Sequence, residues 1–365
     1  MKIADFKIEE WMNKYEASAK YDLTTTCIKP LSLNELCKNI PEEILNTNLT
    51  YGDITGSERL KIQIKSLYEN QNQENITITH GAIGANQLIF LSLLEQEDEV
   101  VTLLPVYQQH YSIPESLGAK VKQVFLKEDN QWLPDLEELA KIITNKTKLL
   151  CINNPNNPTG AVIPDNMLEG IAQIAQKHDT WILSDEVYRG LNVHGNSYSK
   201  SIADIYDKGI SVGSMSKTYS LPGLRVGWIV ADKYLIENIN RQRQYNTISV
   251  SILDDYFASL AIEKRAAIAE RNFKVINTGL EILSQWVKNE DLVECIIPKG
   301  GTTALVRYKK DILSAQLCRR LQECTGVAIL PGETMEMEGY LRIGFCADNL
   351  QTALNLFSDF LHNKL

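Results

Sequence analysis

The chain has 365 residues, of which 44% are hydrophobic and 23% are charged; this is typical of globular proteins and allows one large and one smaller domain. The formal net charge of −9 argues against nucleic acid as the main partner, because phosphate contacts require a basic surface. No run approaches the roughly 20 consecutive apolar residues of a membrane-spanning helix, and the charged N-terminus lacks the apolar region of a signal peptide. We therefore expect a cytoplasmic protein with no membrane partner.

The cysteines and histidines predict neither a disulfide framework nor a metal site. Seven cysteines is an odd number, and no two of them have Cys-x-x-Cys spacing. The five histidines form no cluster with the spacing of metal ligands. We expect the thiols to be reduced and to lie mostly in the core.

In chain order, the first long part of the sequence alternates short apolar runs with helical patterns. Strand-like runs begin near residues 76, 100, 121, 149, 181, 210 and 226. Helical segments separate several of them, such as the one that begins near Gln87. Buried runs of this kind, with helices between them, are typical of a mostly parallel sheet that is covered on both faces.

After about residue 235 the pattern changes to a second, smaller α+β unit. Helical segments are predicted over 249–288 and 312–324, and strands over 293–297, 303–307 and 341–345. The chain closes with apolar residues at i, i+3 and i+4 spacing from Leu350 to Leu361, which predicts an amphipathic helix.

Residues 80–86 (HGAIGAN) follow the first predicted strand and precede a helix. In an open parallel sheet, ligands bind at the carboxyl ends of the strands. A turn of small residues before a helix N-terminus presents free backbone N–H groups, which suit a phosphate. A glycine at such a turn more often serves only the conformation of the turn. This feature alone therefore leaves open both a phosphate site and a purely structural turn.

Polar motifs follow two further strands. Asn154-Pro-Asn-Asn157-Pro-Thr-Gly160 has two prolines that fix a turn and asparagine amides that can donate hydrogen bonds. A structural Asx turn accounts for one asparagine but not for the whole heptapeptide. Asp185-Glu-Val-Tyr188 puts an acid at the end of an apolar run, where it is costly unless it is partnered. A helix N-cap is the structural alternative for Asp185.

A third polar segment, residues 214–228 (SMSKTYSLPGLRVGW), follows another strand and holds Ser214, Ser216, Lys217 and Arg225. Taken singly, each of these features has a structural explanation that is at least as good. Taken in order, they resemble the pyridoxal-phosphate enzymes of fold type I: an asparagine, an acid followed by a tyrosine, and a lysine flanked by serines with an arginine beyond. The resemblance is to the class I/II aminotransferase family, in its aspartate aminotransferase-like form, and it covers nearly the whole chain.

The resemblance implies the architecture and its boundaries. We expect an α/β protein of fold type I, with a mostly parallel seven-stranded sheet between helices in a large domain over residues 41–265. Residues 266–365 would form the smaller α+β domain. The N-terminal segment, residues 1–40, would contribute to that smaller domain.

The resemblance also implies pyridoxal 5′-phosphate as the cofactor and roles for the residues around its ring. Lys217 would hold it as an internal aldimine, because a lysine amine condenses with an aldehyde. Asp185 would pair with the pyridinium nitrogen and keep the ring an electron acceptor. Asn157 and Tyr188 would donate to the phenolate oxygen, and Tyr107 would stack on the ring face. Lys217, Asp185 and Tyr188 are the predicted catalytic residues.

At the other end of the cofactor, hydroxyl groups, an arginine and backbone N–H groups would hold the phosphate. The predicted phosphate ligands are Ser214, Ser216, Arg225 and the backbone of Gly81, Ala82 and Ile83. Arg225 would also ease deprotonation of Lys217, because a nearby cation lowers a lysine pKa. Tyr51 matches a residue that reaches the phosphate of the neighbouring subunit, which implies a homodimer with a shared active site.

Arg342, in the weaker motif Tyr340-Leu-Arg-Ile-Gly344, matches an arginine that binds the substrate α-carboxylate with two parallel bonds; Asn157 would lie beside that group. A strand arginine in a surface ion pair explains Arg342 equally well. We expect a transamination between an α-amino acid and a 2-oxo acid, in amino-acid metabolism or biosynthesis. The alternative is β-elimination, cyclisation or replacement on the same cofactor.

Two departures from the family pattern keep that alternative open. The family usually has a glycine-containing apolar turn near the substrate, whereas residues 24–27 are Thr-Thr-Thr-Cys in this chain. The loop after Gly332 lacks an aromatic residue that is common there. Both departures concern the choice of substrate and reaction, and neither concerns the cofactor residues.

Overall fold

The structure is a computed structural model that describes residues 2–193 and 198–365. The helices are α1 (Lys7–Tyr15), α2 (Leu33–Leu36), α3 (Glu42–Leu45), α4 (Glu58–Lys65), α5 (Gly81–Leu93), α6 (Gln109–Ser116), α7 (Leu136–Ile142), α8 (Asp165–Lys177), α9 (Ile202–Ile205), α10 (Lys233–Arg243), α11 (Ile252–Glu263), α12 (Arg265–Asn289), α13 (Ser314–Thr325) and α14 (Leu350–Asn363). The strands are β1 (Tyr21–Asp22), β2 (Ile76–His80), β3 (Glu99–Leu104), β4 (Lys120–Phe125), β5 (Thr147–Asn153), β6 (Trp181–Asp185), β7 (Gly209–Ser214), β8 (Val226–Val230), β9 (Val293–Cys295), β10 (Thr303–Tyr308), β11 (Val327–Ala328), β12 (Leu330–Pro331) and β13 (Tyr340–Gly344). Among the helices of the described residues, none has the combination of length and apolar character that crossing a membrane would take.

A seven-stranded sheet forms the centre of the larger part of the chain, with the strand order β2-β8-β7-β6-β5-β3-β4. Neighbouring strands are parallel except at β8, which is antiparallel to both β2 and β7. Strand β5 is buried along almost its whole length, because helices cover both faces of a sheet of this kind. The predicted α/β fold with a mostly parallel seven-stranded sheet is confirmed.

The topology of this sheet brings the polar motifs to one edge. β5 ends at Asn153, β6 at Asp185 and β7 at Ser214, and parallel strands present their carboxyl ends together. β2 runs in the same direction as β7 because both are antiparallel to β8, so α5 also begins at this edge, directly after His80. Arg225 precedes the reversed strand β8 and therefore lies at the same edge.

A second, antiparallel sheet with the order β12-β13-β10-β9 shares a hydrophobic core with α12, α13 and α14. The predicted apolar face of α14, from Leu350 to Leu361, is buried in this core. β1 pairs in parallel with β11, with Tyr21 opposite Val327. This pairing joins residues 21–22 to the C-terminal part of the chain, while the assignment of residues 1–40 to the smaller domain and the boundaries at residues 40 and 265 stay predictions.

Helix α1 is not among the predicted elements. Its sequence does carry apolar residues at helical spacing, Ile8, Trp11, Met12 and Tyr15, although only Ile8 is fully buried. Polar contacts hold its beginning: the Lys7 backbone N–H donates to Gln108 Oε1 at 2.9 Å, and Gln108 Nε2 donates to the Asp5 carbonyl oxygen at 2.8 Å. These bonds fix α1 beside the segment that follows β3.

Candidate active site

A cavity of about 340 Å³ opens at the edge of the large sheet where the polar motifs meet. The predicted site residues that line it are Ala82, Ile83, Tyr107, Asn157, Asp185, Tyr188, Ser214, Ser216, Lys217, Arg225 and Arg342. The remaining walls come from α1 and the turn after it, from residues 25–27, and from Asn86, Gln109, Asn153, Val187 and Pro222. A wider surface groove between α1 and α13 holds none of the predicted residues, so the smaller cavity is the candidate site.

Two predicted residues do not line the cavity. Gly81 lies immediately behind it, in contact with the Arg225 guanidinium. Tyr51 is 78% exposed and lies outside the cavity. The chain therefore brings together all of the predicted ring and substrate residues, whereas the predicted role of Tyr51 depends on a second subunit.

One end of the cavity has the chemistry of an anion site. The N-terminus of α5 faces it through Ala82 and Ile83, and the first N–H groups of a helix have no partner within the helix. Gly81 has φ +67°, a conformation that favours glycine, and a Cβ atom there would lie 2.9 Å from Arg225 Nη2, so the guanidinium would have to shift. Ser214 and Ser216 add two hydroxyl groups to the same wall.

Asp185, at the end of β6, is a buried carboxylate with weak partners. It is 6% exposed; its Oδ1 accepts a bond from the Val187 backbone N–H at 3.2 Å, and its Oδ2 lies 3.4 Å from Asn86 Nδ2. His110, fully buried, places Nε2 at 3.6 Å from the same Oδ2 and has no hydrogen-bond partner on either ring nitrogen. A buried carboxylate is costly without a strong donor. A ligand in the cavity whose ring nitrogen is protonated would supply that donor to Asp185.

Lys217 follows β7 and directs its amine into the cavity. Its Nζ donates to Thr26 Oγ1 and to Cys27 Sγ, the latter at 3.1 Å, and lies 6.0 Å from the ring centroid of Tyr188. Burial acts to lower the pKa of Lys217, but Tyr188 and the Cys27 thiol outweigh it, so the pKa is raised. The cation that opposes this rise is Arg342, not the Arg225 that the sequence suggested.

Arg342, on β13, is 1% exposed and forms no ion pair within the described part of the chain. Its Nη2 donates to the Thr24 carbonyl oxygen at 2.8 Å, and its Nη1 donates to Asn157 Oδ1 at 3.3 Å. Its Nε–H has no hydrogen-bond partner. Burial lowers the pKa of Arg342. A surface ion pair does not explain this arginine, whereas an anion in the cavity would satisfy its remaining donor.

Tyr107 lines the cavity between the predicted ring site and α1. Its hydroxyl donates to Glu9 Oε1 at 2.8 Å, and its ring centroid lies 4.8 Å from that of Phe6. Burial, followed by the neighbouring Glu9, raises the pKa of Tyr107. The N-terminal helix therefore orients the aromatic side chain that was predicted to cover the cofactor ring.

Sequence reasoning missed two groups of residues at this site. His110 and Asn86, which face Asp185, lie on α6 and α5, and no motif connects them to β6. Glu9, Met12 and Glu16 line the cavity from α1 and the turn after it. Nothing in the local sequence indicates that the N-terminus folds over the edge of the sheet, so only the three-dimensional structure could find these residues.

The comparisons with known proteins agree with the geometry. The sequence model of the family described as "Aminotransferase class I and II" matches residues 22–356. A solved structure of a PLP-dependent aminotransferase from Streptococcus suis 89-1591 has a TM-score of 0.95 and 42% identity, and the match covers 99% of this chain and 98% of that one.

Two curated relatives differ in the reaction that their names state. Capreomycidine synthase from Streptomyces vinaceus is 28% identical over 345 residues, which is 93% of this chain and 88% of the relative. Arginine–pyruvate transaminase from Pseudomonas aeruginosa is 28% identical over 315 residues, which is 83% of this chain and 79% of the relative.

The fold and the residues at the edge of the sheet thus define a pyridoxal-phosphate enzyme of fold type I. The chain belongs to the class I and II aminotransferase family, since the family match runs over nearly its whole length. It is a pyridoxal-phosphate-dependent aminotransferase.

Proposed function

We propose that the cavity is the site of a transamination between an α-amino acid and a 2-oxo acid, with Lys217 as the residue that holds the cofactor covalently. The observation that carries this proposal is the position of the Lys217 amine in one cavity with the Asp185 carboxylate, the Arg342 guanidinium and the N-terminus of α5. The Pseudomonas relative, whose name pairs an amino acid with pyruvate, supports the two substrate classes.

Bound pyridoxal 5′-phosphate supplies an electron sink for the bond that breaks at the substrate α-carbon. In this proposal Arg225, Ser214 and Ser216 bind its phosphate together with the backbone at the start of α5. Asp185 holds the proton on the pyridine nitrogen. The poorly partnered Asp185 carboxylate supports the fit of the cofactor, because it lacks the strong donor that a protonated ring nitrogen would provide.

Other residues of the chain position the ring and the substrate. Asn157 and Tyr188 donate to the ring oxygen, and Tyr107 covers one face of the ring. Arg342 presents Nε–H to the substrate α-carboxylate, while the Thr24 carbonyl oxygen and Asn157 hold the other end of the guanidinium in place. The α-amino group then lies on the Lys217 side of the cavity.

Lys217 moves the proton. With the cofactor bound, its Nζ would take the proton from the substrate α-carbon as a general base and would later donate a proton as a general acid. Thr26 and Cys27 contact Nζ and orient the amine between these two positions. The raised pKa of the free amine means that it retains a proton until a further charge or hydrogen bond in the cavity opposes the influence of Tyr188 and Cys27.

The test combines labelling with a variant. Borohydride reduction of the cofactor-loaded protein, followed by peptide mass mapping, should place the label on Lys217. Lys217→Ala should lose turnover by at least about 10³-fold, which is the scale expected for loss of a covalent and proton-transfer residue. The matched control is Lys208→Ala, which removes an ion pair with Asp179 distant from the cavity. Label on another lysine, or full activity of Lys217→Ala, would contradict the proposal.

A second candidate is another reaction at the same cofactor, in which a substituent leaves or a ring closes. The match to a synthase over 93% of the chain favours it, as does the contact of the Cys27 thiol with the Lys217 amine. A thiol and a hydroxyl beside the lysine add proton donors that a leaving group could use. Release of ammonia and 2-oxo acid without an acceptor 2-oxo acid would identify elimination, whereas strict dependence on the acceptor identifies transamination.

We also propose that the enzyme is a homodimer with a shared active site. Leu45, Leu49 and Tyr51 are 70–78% exposed on one segment, and a patch of large exposed apolar side chains marks an interface. Light scattering should give the mass of two chains. Mixing Tyr51→Ala with Lys217→Ala should restore activity that neither variant has, because one site in the hybrid would be complete. Failure of the mixture to recover, with hybrids demonstrated by tags, would contradict a shared site.

We place the enzyme in the cytoplasm and in amino-acid metabolism. All seven cysteines are free thiols, which supports a reducing compartment. Fractionation of cells that produce the untagged protein tests this location; recovery in an oxidising compartment would contradict it.

A further inference from the structure

Two carboxylates that line the cavity are exposed to solvent. Glu9, on α1, and Glu16, in the turn after it, both border the cavity that holds Lys217 and Arg342. Within the described residues neither of them forms an ion pair. Glu9 accepts one hydrogen bond, from the Tyr107 hydroxyl, and the Glu16 carboxylate accepts none.

A third acid adds to the negative potential on this wall. The pKa of Glu16 is raised by partial burial, then by Asp22 and then by Glu9, so both of these carboxylates lie close enough to repel that of Glu16. Asp22 Oδ1 accepts two hydrogen bonds from Thr24, one from the backbone N–H at 2.8 Å and one from the hydroxyl at 2.6 Å. Glu9 and Glu16 therefore keep unused acceptor oxygens on the cavity side of α1.

The opposite wall determines how a substrate would lie. Arg342 is buried, faces the same cavity and keeps an Nε–H without a partner, which is a second sign of a ligand independent of the acids. With an α-carboxylate at Arg342 and an α-amino group near Lys217, the wall formed by α1 and the turn after it is a wall that the chain itself offers to the substrate side chain. That wall is the one that carries Glu9 and Glu16.

We infer that the amino-acid substrate has a cationic side-chain head, an ammonium or a guanidinium group, which lies between Glu9 and Glu16 while Arg342 binds its α-carboxylate. This inference rests on the proposed function. A cation at this place would add an attraction to that between Glu9 and Arg342, which already influence each other. Glu9 and Glu16 are both exposed, so a neutral side chain there would leave them solvated and gain nothing from their charge, whereas an acidic side chain would meet two like charges.

The test uses two pairs of substrates. Arginine is compared with citrulline, which has nearly the same shape but no charge, and ornithine is compared with norvaline, which lacks the terminal amino group. Wild-type enzyme should prefer the cationic member of each pair, and the comparison of the two pairs shows which cationic head is used. Glu9→Gln keeps an acceptor for the Tyr107 hydroxyl while removing the charge, and Glu16→Gln removes a charge with no hydrogen bond. Each should lower the ratio of kcat/KM for the cationic substrate to kcat/KM for its neutral partner about three- to tenfold.

Glu10→Gln is the matched control, because Glu10 lies on the same helix but borders the outer groove and not the cavity. It should change the preference in neither pair. A second readout does not need turnover: in cofactor-loaded Lys217→Ala, titration with arginine should change the absorbance of the cofactor at lower concentration than citrulline does. Adding Glu9→Gln and Glu16→Gln to that variant should abolish the difference.

The outcomes separate this inference from the proposed function. Absence of turnover with every amino acid tested, by protein that carries the cofactor, contradicts the proposed function. Turnover of neutral or acidic amino acids with no preference for cationic ones overturns the substrate inference alone. An equal effect of Glu10→Gln and Glu9→Gln on the arginine-to-citrulline ratio overturns it as well.

Discussion

Arg342→Lys should weaken recognition of the substrate carboxylate while leaving the cofactor in place. In the structure the guanidinium uses Nη2 for the Thr24 carbonyl oxygen and Nη1 for Asn157, and keeps Nε–H for a ligand. Lysine has one nitrogen for all three directions and cannot bond two carboxylate oxygens in parallel. Loss of one charge-assisted bond costs about 1.5–3 kcal/mol, which corresponds to a decrease in kcat/KM of about 10- to 100-fold.

The assay for this variant compares an amino acid with the primary amine that lacks its α-carboxylate. Arg342→Lys should lower kcat/KM for the amino acid and leave the already poor turnover of the amine nearly unchanged. Arg307→Lys is the matched control, because Arg307 lies on the neighbouring strand β10 and pairs with Glu128 and Glu294 at the surface. An equal loss for the amino acid and the amine would refute the assignment, since the arginine would then support the fold and not the carboxylate.

Three further predictions concern the cofactor end and the small domain. Gly81→Ala should cost about 1–3 kcal/mol of folding free energy through its positive φ and should also weaken cofactor binding, because its Cβ would displace the Arg225 guanidinium; urea unfolding and cofactor titration measure the two effects. His110→Phe should reduce cofactor affinity about tenfold by removing the polar ring 3.6 Å behind Asp185; an unchanged affinity would contradict a positioning role. The pKa of Glu338 is lowered, since hydrogen bonds from Ser314 outweigh burial, so the stability it contributes is present at neutral pH and is lost as the pH falls through its folded-state pKa, which lies below the ordinary value of 4.5. Glu338→Gln should therefore show a shallower loss of stability than wild type in urea unfolding between pH 6 and pH 3, and parallel curves would contradict this.

The cofactor end of the site could be predicted from the sequence because each of its residues belongs to a short motif at a strand end. Asp185 and Ser214 terminate adjacent strands, and Lys217 and Arg225 follow within one segment. The parallel topology then brings these motifs together without any further information. The strand assignments were sufficient to place them at one edge.

The substrate end could not be predicted in the same way, because it depends on tertiary packing. Glu9 and Glu16 line the cavity because hydrogen bonds hold α1 beside Gln108 and Tyr107, which are about a hundred residues away in the sequence. The sequence did identify residues 24–27 as unusual, and the structure places Thr26 and Cys27 against the Lys217 amine. It gave no sign that the amine would keep a raised pKa, because that depends on the distances to Tyr188 and Cys27.

The way in which α1 is attached has a consequence for the evolution of such enzymes. The helix forms no strand pairing; Ile8, Trp11 and Met12 pack against the core, and polar bonds and the ion pair of Lys7 with Glu336 at 2.6 Å add to this packing. The exposed acids Glu9 and Glu16 can therefore be exchanged without repacking the sheet that carries Lys217 and Asp185. A lineage could change the charge of this one helix and acquire a new amino acid while keeping an old catalytic centre, so related enzymes should differ more in their first twenty residues than in their strand ends.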